Sequence, residues 1–124
     1  MIELFIPYMG PSLNSIYAGV HWSERNKQAK FGHIACKAAC REAGINPFDY
    51  PVTLTFIPVL GKGARGRDCS NYSYAAKIIE DGLVRCGILE DDSDKYVRGF
   101  SIKGPAIVDR KGVSGFRLII ERAL

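Results

Sequence analysis

The sequence has few of the features that mark membrane, secreted or zinc-binding proteins. Its apolar runs fall well below the roughly 18 residues that span a bilayer. The start of the chain, Met1 to Phe5, lacks the basic and apolar regions of a signal peptide. The four cysteines show no C-x-x-C spacing, and disulfide bonds are not expected without a secretory signal. We therefore expect a cytoplasmic protein with no membrane partner.

Isolated cysteines and histidines do not define a metal site at the level of sequence. Cys36 and Cys40 lie four residues apart on a predicted helix and so share a face. They could form half of a metal site, although a free cysteine is more often a small buried hydrophobe. His21 and His33 lack partner ligands at a suitable spacing, so we interpret them as surface residues. The glycine-rich segment from Gly61 to Arg67 is not followed by G-K-[ST], which argues against a P-loop.

The chain carries a small net positive charge, and the positions of its basic residues are more informative than the total. The 124 residues suit one domain, and the net charge is +4, from 17 Lys and Arg against 13 Asp and Glu. The basic residues form two groups. The basic loop comprises Lys62, Arg65 and Arg67, and the basic helix face comprises Lys27, Lys30, Lys37 and Arg41. Both groups are candidate contacts for DNA phosphates, but a charged helix face more often only meets water.

Hydrophobic periodicity and turn residues predict alternating strands and helices. The predicted strands are Ile2–Pro7, Val52–Phe56, Tyr96–Ile102 and Phe116–Glu121, and the predicted helices are Ser23–Ala43 and Ser73–Cys86. Residues 9–20 and 103–115 are predicted to be loops. The order β-α-β-α-β-β indicates a single α+β domain over residues 1–124, with one mixed sheet and helices packed on it.

Capping and packing residues refine these two helices. Ser23 is predicted to cap the first helix, and Asn71 or Ser73 the second. Gly44 and Gly87 are the expected C-terminal stops. The first helix is expected to bury an apolar stripe made of Phe31, Ala35, Ala38 and Ala39.

The segment from Gly66 to Asp92 contains a pattern that suits metal-dependent phosphodiester chemistry. Asp68 closes the basic loop, Lys77 lies on the helix that follows, and Asp91 is adjacent to Asp92. Gathered carboxylates repel one another, and a divalent cation such as Mg²⁺ relieves that repulsion. The helix between them is about 21 Å long, so its ends meet only if the chain turns back after it. The alternative is that residues 91–94 form a plain polar turn.

The same segment resembles the RusA-like family of Holliday junction endonucleases, which is common in phages and prophages. The family pattern has an arginine–aspartate pair, an asparagine three residues further on, a helical lysine, a D-x-L sequence, a glycine and a pair of aspartates. The matching residues here are Arg67-Asp68, Asn71, Lys77, Asp81-Gly82-Leu83, Gly87 and Asp91-Asp92. The segment from Gly10 to Asn14, with Tyr17, is similar to the P-S-x-N segment that follows the first strand of the family.

This resemblance implies a homodimer that resolves four-way DNA junctions by Mg²⁺-dependent hydrolysis, in a bacterial cell or a phage-infected host cell. It implies that Asp68, Lys77, Asp91 and Asp92 are catalytic. It also implies that Asp68, Asp91 and Asp92 bind the metal, with Asp81 as a further candidate ligand. The basic loop and the basic helix face would then bind the arms of the junction.

Two positions depart from the best-known members of the family. Ser70 stands where those members carry a second aspartate, two residues after the first. Asn71 and Lys77 are six residues apart, whereas those members have three. An alternative function is therefore a branched-DNA-binding module of the same fold with weak or absent catalysis.

Overall fold

Alternating apolar residues build a mixed sheet whose inner face packs against two helices, as the computed structural model shows. The structure describes residues 1–19 and 21–123; Val20, the end of the first predicted loop, and Leu124 lie outside the described residues. The strands are β1 (Ile2–Ile6), β2 (Val52–Leu60), β3 (Val97–Ile102), β4 (Ile107–Val108) and β5 (Gly115–Arg122). The helices are α1 (Leu13–Tyr17), α2 (Trp22–Ala43) and α3 (Ser73–Arg85), with a 3₁₀ turn at Cys69–Tyr72.

The sheet has the strand order β1-β5-β2-β3, and β4 also pairs with β2. β5 runs antiparallel to both β1 and β2, whereas β3 and β4 run parallel to β2. Every second residue of β2, from Val52 to Pro58, is buried beneath the helices. The predicted single α+β domain with one mixed sheet is confirmed. None of the helices in the described ranges is long and apolar enough to cross a membrane.

Each of the two predicted loops contains a short helix or strand that was not predicted from its sequence. α1 lies within residues 9–20, where Ser12 caps it by accepting a hydrogen bond from the backbone N–H of Ser15 at 3.1 Å. β4 lies within residues 103–115 and pairs with the end of β2, which extends four residues beyond the predicted strand. Tertiary contacts stabilise both elements, and local propensity alone does not predict such contacts.

The predicted helix stops are confirmed, and the predicted N-terminal caps are wrong. Gly44 and Gly87 have φ angles of 66° and 80°, the left-handed conformation that favours glycine. His21 caps α2 in place of Ser23, because its Nδ1 accepts a hydrogen bond from the N–H of Ser23 at 3.2 Å. α3 continues directly from the 3₁₀ turn, so Asn71 and Ser73 do not cap it.

The buried face of α2 matches the predicted apolar stripe only in part, because Ala35 and Ala39 pack against the core. Gly32, Cys36 and Cys40 face the core, whereas Phe31 is 49% exposed and Ala38 is exposed. The cause is a close crossing of α2 and α3. A Cβ atom on Gly32 would lie only 2.3 Å from Cγ2 of Ile78 on α3. Glycine therefore selects the buried face of α2 by letting the two helices approach.

Replacing Gly32 with alanine is expected to lower the free energy of unfolding by about 1–3 kcal/mol, the usual cost of overpacking a core. The physical reason is the clash with Ile78. Urea denaturation measures the effect. Gly66→Ala is the matched control, because the nearest atom to its Cβ would be Cδ1 of Leu60 at 3.8 Å, an ordinary contact. Equal midpoints for the two variants would contradict the close crossing.

Candidate metal-binding and phosphate-binding site

Lys77 lies at the centre of an acidic cluster, which we call the Lys77 cluster, formed with Glu80, Asp81 and Asp92. Its Nζ atom is 2.7 Å from Oε1 of Glu80 and 3.3 Å from Oδ1 of Asp81. It also donates a hydrogen bond to Oδ2 of Asp92. The three residues on α3 share one face because they are spaced at i, i+3 and i+4. Asp92 reaches the same point from the loop that follows α3.

A reversal after α3 brings Asp92 back to the helix. Gly87 makes the turn with its positive φ angle. The backbone N–H groups of Ile88 and Leu89 then donate hydrogen bonds to the carbonyl oxygen of Leu83, at 2.9 and 3.1 Å. Both apolar side chains are buried in the core. This anchor fixes the path of the loop, so that Asp92 meets Lys77, which lies 15 positions earlier in the chain.

Glu80 is the buried carboxylate of the Lys77 cluster and needs a positively charged partner. This residue is only 5% exposed, and an unpaired buried carboxylate is costly. Burial lowers the pKa of Lys77, but hydrogen bonds to Asp92 and Glu80 outweigh that effect and hold the pKa above its ordinary value. The hydrogen bond from Lys77 in turn lowers the pKa of Asp92. At neutral pH, Lys77 is therefore protonated and Asp92 is ionised.

The three carboxylates of the Lys77 cluster could hold a metal ion. One oxygen atom from each of Glu80, Asp81 and Asp92 lies within 4.8 Å of the other two. Such an all-oxygen donor set suits hard cations. The ammonium group of Lys77 contacts these same carboxylates. A metal ion and Lys77 would therefore compete for them, or share them.

An open groove of about 370 Å³ lies beside the cluster, between α2 and α3. Its lining residues are Ala29, His33, Asp81, Val84, Arg85, Asp91 and Asp92. His33 is partly buried here, whereas the sequence placed it at the surface. Its Nε2 atom is buried and has no hydrogen-bond partner among the described residues. Burial, followed by the positive charge of Arg85, lowers the pKa of His33.

The basic helix face lies on α2, the helix that supplies Ala29 and His33 to this groove. Lys30 precedes His33 by three residues and Lys37 follows it by four, so both lie on the flank of α2 that carries His33. Lys27 and Arg41 continue the same flank in either direction. All four basic side chains are exposed. Four accessible positive charges therefore lie along α2, and none of them is among the residues that line the groove with the carboxylates.

The basic loop divides into two accessible residues and one anchored residue. Lys62 and Arg65 are exposed. Arg67 donates a hydrogen bond from Nη2 to the carbonyl oxygen of Gly10 at 2.9 Å, and its guanidinium lies 5.4 Å from the ring centre of Tyr72. These contacts give Arg67 a structural partner in the N-terminal segment. They leave Lys62 and Arg65 as the freer positive charges of this loop.

The remaining predicted site residues occupy different positions. Asp91 lines the groove but is not a member of the carboxylate group that the described residues form. Asp68 precedes the 3₁₀ turn, is exposed, and also lies outside that group. Sequence reasoning missed Glu80, although its i+3 spacing from Lys77 was a usable signal. The structure thus brings Lys77, Asp81 and Asp92 together and adds Glu80 to them.

No protein-family model matches the sequence, and no curated protein matches it.

Proposed function

We propose that this protein is a Mg²⁺-dependent endonuclease of the RusA-like type that resolves four-way DNA junctions by hydrolysing phosphodiester bonds. The observation that carries the proposal is the Lys77 cluster, in which one lysine contacts three carboxylates beside an open groove. This arrangement suits phosphodiester hydrolysis, because a lysine and a metal ion held by carboxylates can both stabilise an anionic transition state. The resemblance described above supports the same chemistry for Lys77 and Asp92.

The carboxylates of Glu80, Asp81 and Asp92 would hold the metal ion, with Asp91 at the rim of the groove. When bound, Mg²⁺ supplies an activated water and stabilises the charge on the leaving oxygen. Lys77 would exchange one of its carboxylate partners for a phosphate oxygen of the DNA. Its charge would then stabilise the pentacovalent phosphate. The resemblance also assigns Asp68 to the metal site, and an Asp68→Asn variant tests that assignment separately.

The basic helix face and the basic loop would bind the arms of the junction through backbone phosphates. Lys27, Lys30, Lys37 and Arg41 are exposed along α2. Each phosphate that is neutralised makes the affinity more sensitive to salt. Contacts of this kind set position and orientation without reading sequence. We therefore expect binding that depends on the branched shape of the DNA and weakens steeply as salt rises.

A homodimer would supply the two active sites that symmetric cutting of a junction needs. β1 is an edge strand of the sheet, and an unpaired edge can join a second copy. Phe5 on β1 is an exposed apolar side chain. We propose that a second copy pairs along this edge. Sedimentation in solution is expected to give twice the mass of the single chain, and a monomer at micromolar concentration would remove this part of the proposal.

The proposal is tested by incubating the purified protein with a synthetic four-way junction and Mg²⁺. We expect paired nicks close to the branch point, and no nicks in linear duplex of the same sequence. Replacing Mg²⁺ with a chelator is expected to stop the reaction while binding persists in a gel-shift assay. Absence of cleavage at any Mg²⁺ concentration would exclude the enzyme.

The alternative, a branched-DNA-binding module without turnover, has one observation in its favour. Ser70 replaces a family aspartate, and it lies in the 3₁₀ turn directly before α3. The alternative predicts junction binding that weakens with salt, without metal-dependent cutting. A Ser70→Asp variant that gains cleavage would support it, whereas cleavage by the unmodified chain would rule it out.

A further inference from the structure

Three of the four cysteines meet where α2 packs against the C-terminal part of α3, and none of them is among the predicted catalytic residues. Cys36 and Cys40 come from α2, and Cys86 is the C-terminal cap of α3. Their three Sγ atoms lie within 4.8 Å of one another. Cys36 and Cys40 are buried, Cys86 is partly buried, and all three are free thiols. We call this group the cysteine cluster.

Close helix packing and helix periodicity create the cluster. Cys36 and Cys40 share a face of α2 because they are four residues apart. Gly82 on α3 lets this face approach, since a Cβ atom there would lie 2.9 Å from Cβ of Cys36. The sequence predicted that Cys36 and Cys40 share a helix face and could form half of a metal site. Only the crossing of the helices adds Cys86.

The thiols make weak bonds that a ligand could replace at little cost. Sγ of Cys36 donates to the carbonyl oxygen of Ile79, and Sγ of Cys86 donates to that of Leu83, each at 3.6 Å. A thiol is a weak hydrogen-bond donor, and both carbonyls belong to the α3 helix, where backbone N–H groups are the principal donors. Nothing in this arrangement ties the sulfur atoms to their present partners.

The cluster is also accessible and lies in a positive field. A groove of about 210 Å³ opens onto it, lined by Lys37, Cys40, Arg41, Ile45, Cys86 and Ile88. Nearby cationic side chains favour the thiolate form of cysteine. Two of the three sulfur atoms thus line an entry path.

We propose that Cys36, Cys40 and Cys86 form a trithiolate site for one soft d¹⁰ metal ion of the Zn²⁺ and Cd²⁺ class. Thiolates that each bind Zn²⁺ at about 2.3 Å lie roughly 4 Å apart, and the three sulfur atoms here are all within 4.8 Å of one another. The metal ion forms three bonds to sulfur and three S–H protons are released to solvent, so the site carries one negative charge. Lys37 and Arg41 offset that charge, and the groove leaves a fourth position for water.

This site differs chemically from the Lys77 cluster. Sulfur ligands select soft ions, whereas carboxylates select Mg²⁺ and other hard ions. The two sites therefore discriminate between metals within one small domain. A metal at the cysteine cluster would join the end of α3 to α2 and would stabilise the fold, because the unfolded chain does not hold the three thiols together. The proposal does not rest on nuclease activity.

The test is a titration of the full, reduced chain with Cd²⁺. Binding is measured by the ultraviolet absorption of sulfur-to-cadmium charge transfer. We expect saturation at one ion per chain, with a rise in the midpoint of thermal unfolding. Cys86→Ser is expected to weaken binding at least about tenfold, by loss of a ligand. Cys69→Ser is the matched control, because Cys69 is exposed and lies outside the cluster; it should bind as the unmodified chain does.

A second variant distinguishes the loss of a metal ligand from misfolding of the chain. Cys40→Ser should reproduce the loss seen in Cys86→Ser, and circular dichroism of both variants should match that of the unmodified chain. A hundredfold excess of Mg²⁺ should leave the cadmium absorption unchanged. The proposal is overturned if the unmodified chain gives no such absorption, or if a folded Cys86→Ser variant binds Cd²⁺ as tightly as Cys69→Ser does.

Discussion

Replacing Asp92 with asparagine is expected to reduce the rate of junction cleavage by at least about 100-fold. A metal ion that stabilises charge in a transition state is worth several kcal/mol, and about 3 kcal/mol corresponds to that factor. Asparagine keeps the shape of the side chain but removes one negative oxygen from the cluster. It also weakens the hydrogen bond that orients Lys77. Single-turnover cleavage of a labelled four-way junction at saturating protein measures the effect.

The matched control is Asp94→Asn. Asp94 lies in the same acidic loop and is exposed, but it belongs neither to the Lys77 cluster nor to the lining of the groove. Its substitution should leave cleavage within about twofold of the unmodified chain, a change below 0.5 kcal/mol in the barrier at about RT ln 2. Both variants should bind the junction equally. Equal loss of cleavage in the two would show that the loop contributes only negative charge.

Replacing Lys77 with methionine is expected to separate metal binding from catalysis. The variant loses the charge that pairs with buried Glu80, and breaking such a pair by removing one partner is destabilising. Because the Lys77 side chain is 50% exposed, we discount the full penalty and expect a loss of about 1–3 kcal/mol in the free energy of unfolding. Urea denaturation in the presence of a chelator measures it.

Addition of Mg²⁺ should then restore much of that stability in the Lys77→Met variant. The three carboxylates lose their ammonium partner, so a divalent cation meets no competitor there. The thermal shift caused by Mg²⁺ should therefore be larger in the variant than in the unmodified chain, while cleavage should fall by at least about 100-fold. A variant that gains no stability from Mg²⁺ would contradict a metal site at these carboxylates.

Lys95→Met is the control for this second experiment. Lys95 is exposed in the loop after Asp92, and its Nζ atom lies 5.5 Å from the ring centre of Tyr96, away from the three carboxylates. Its substitution removes the same charge from the chain without touching the cluster. We expect an unchanged response to Mg²⁺ and unchanged cleavage. Together the two lysine variants separate a local charge effect from a change in net charge.

Helix stops, the four longer strands and the overall class of fold could be predicted because local rules decide them, whereas β4 and the last four residues of β2 were not predicted. Gly44 and Gly87 end helices since only glycine adopts their φ angles without strain. The alternation of apolar residues in Val52–Phe56 marks a half-buried strand. The proximity of Lys77 and Asp81 could also be predicted from the sequence, because helical spacing places them on one face.

Only tertiary structure decided which residues from distant segments meet. The anchoring of Ile88 and Leu89 on Leu83 carries Asp92 to Lys77, and no local pattern encodes that path. Gly32 and Gly82 allow α2 and α3 to pack closely, and this packing buries Cys36 and Cys40 and brings them to Cys86. Residue types and spacing thus specify the elements and their chemistry. Packing distances of a few ångströms decide which carboxylates and thiols become neighbours.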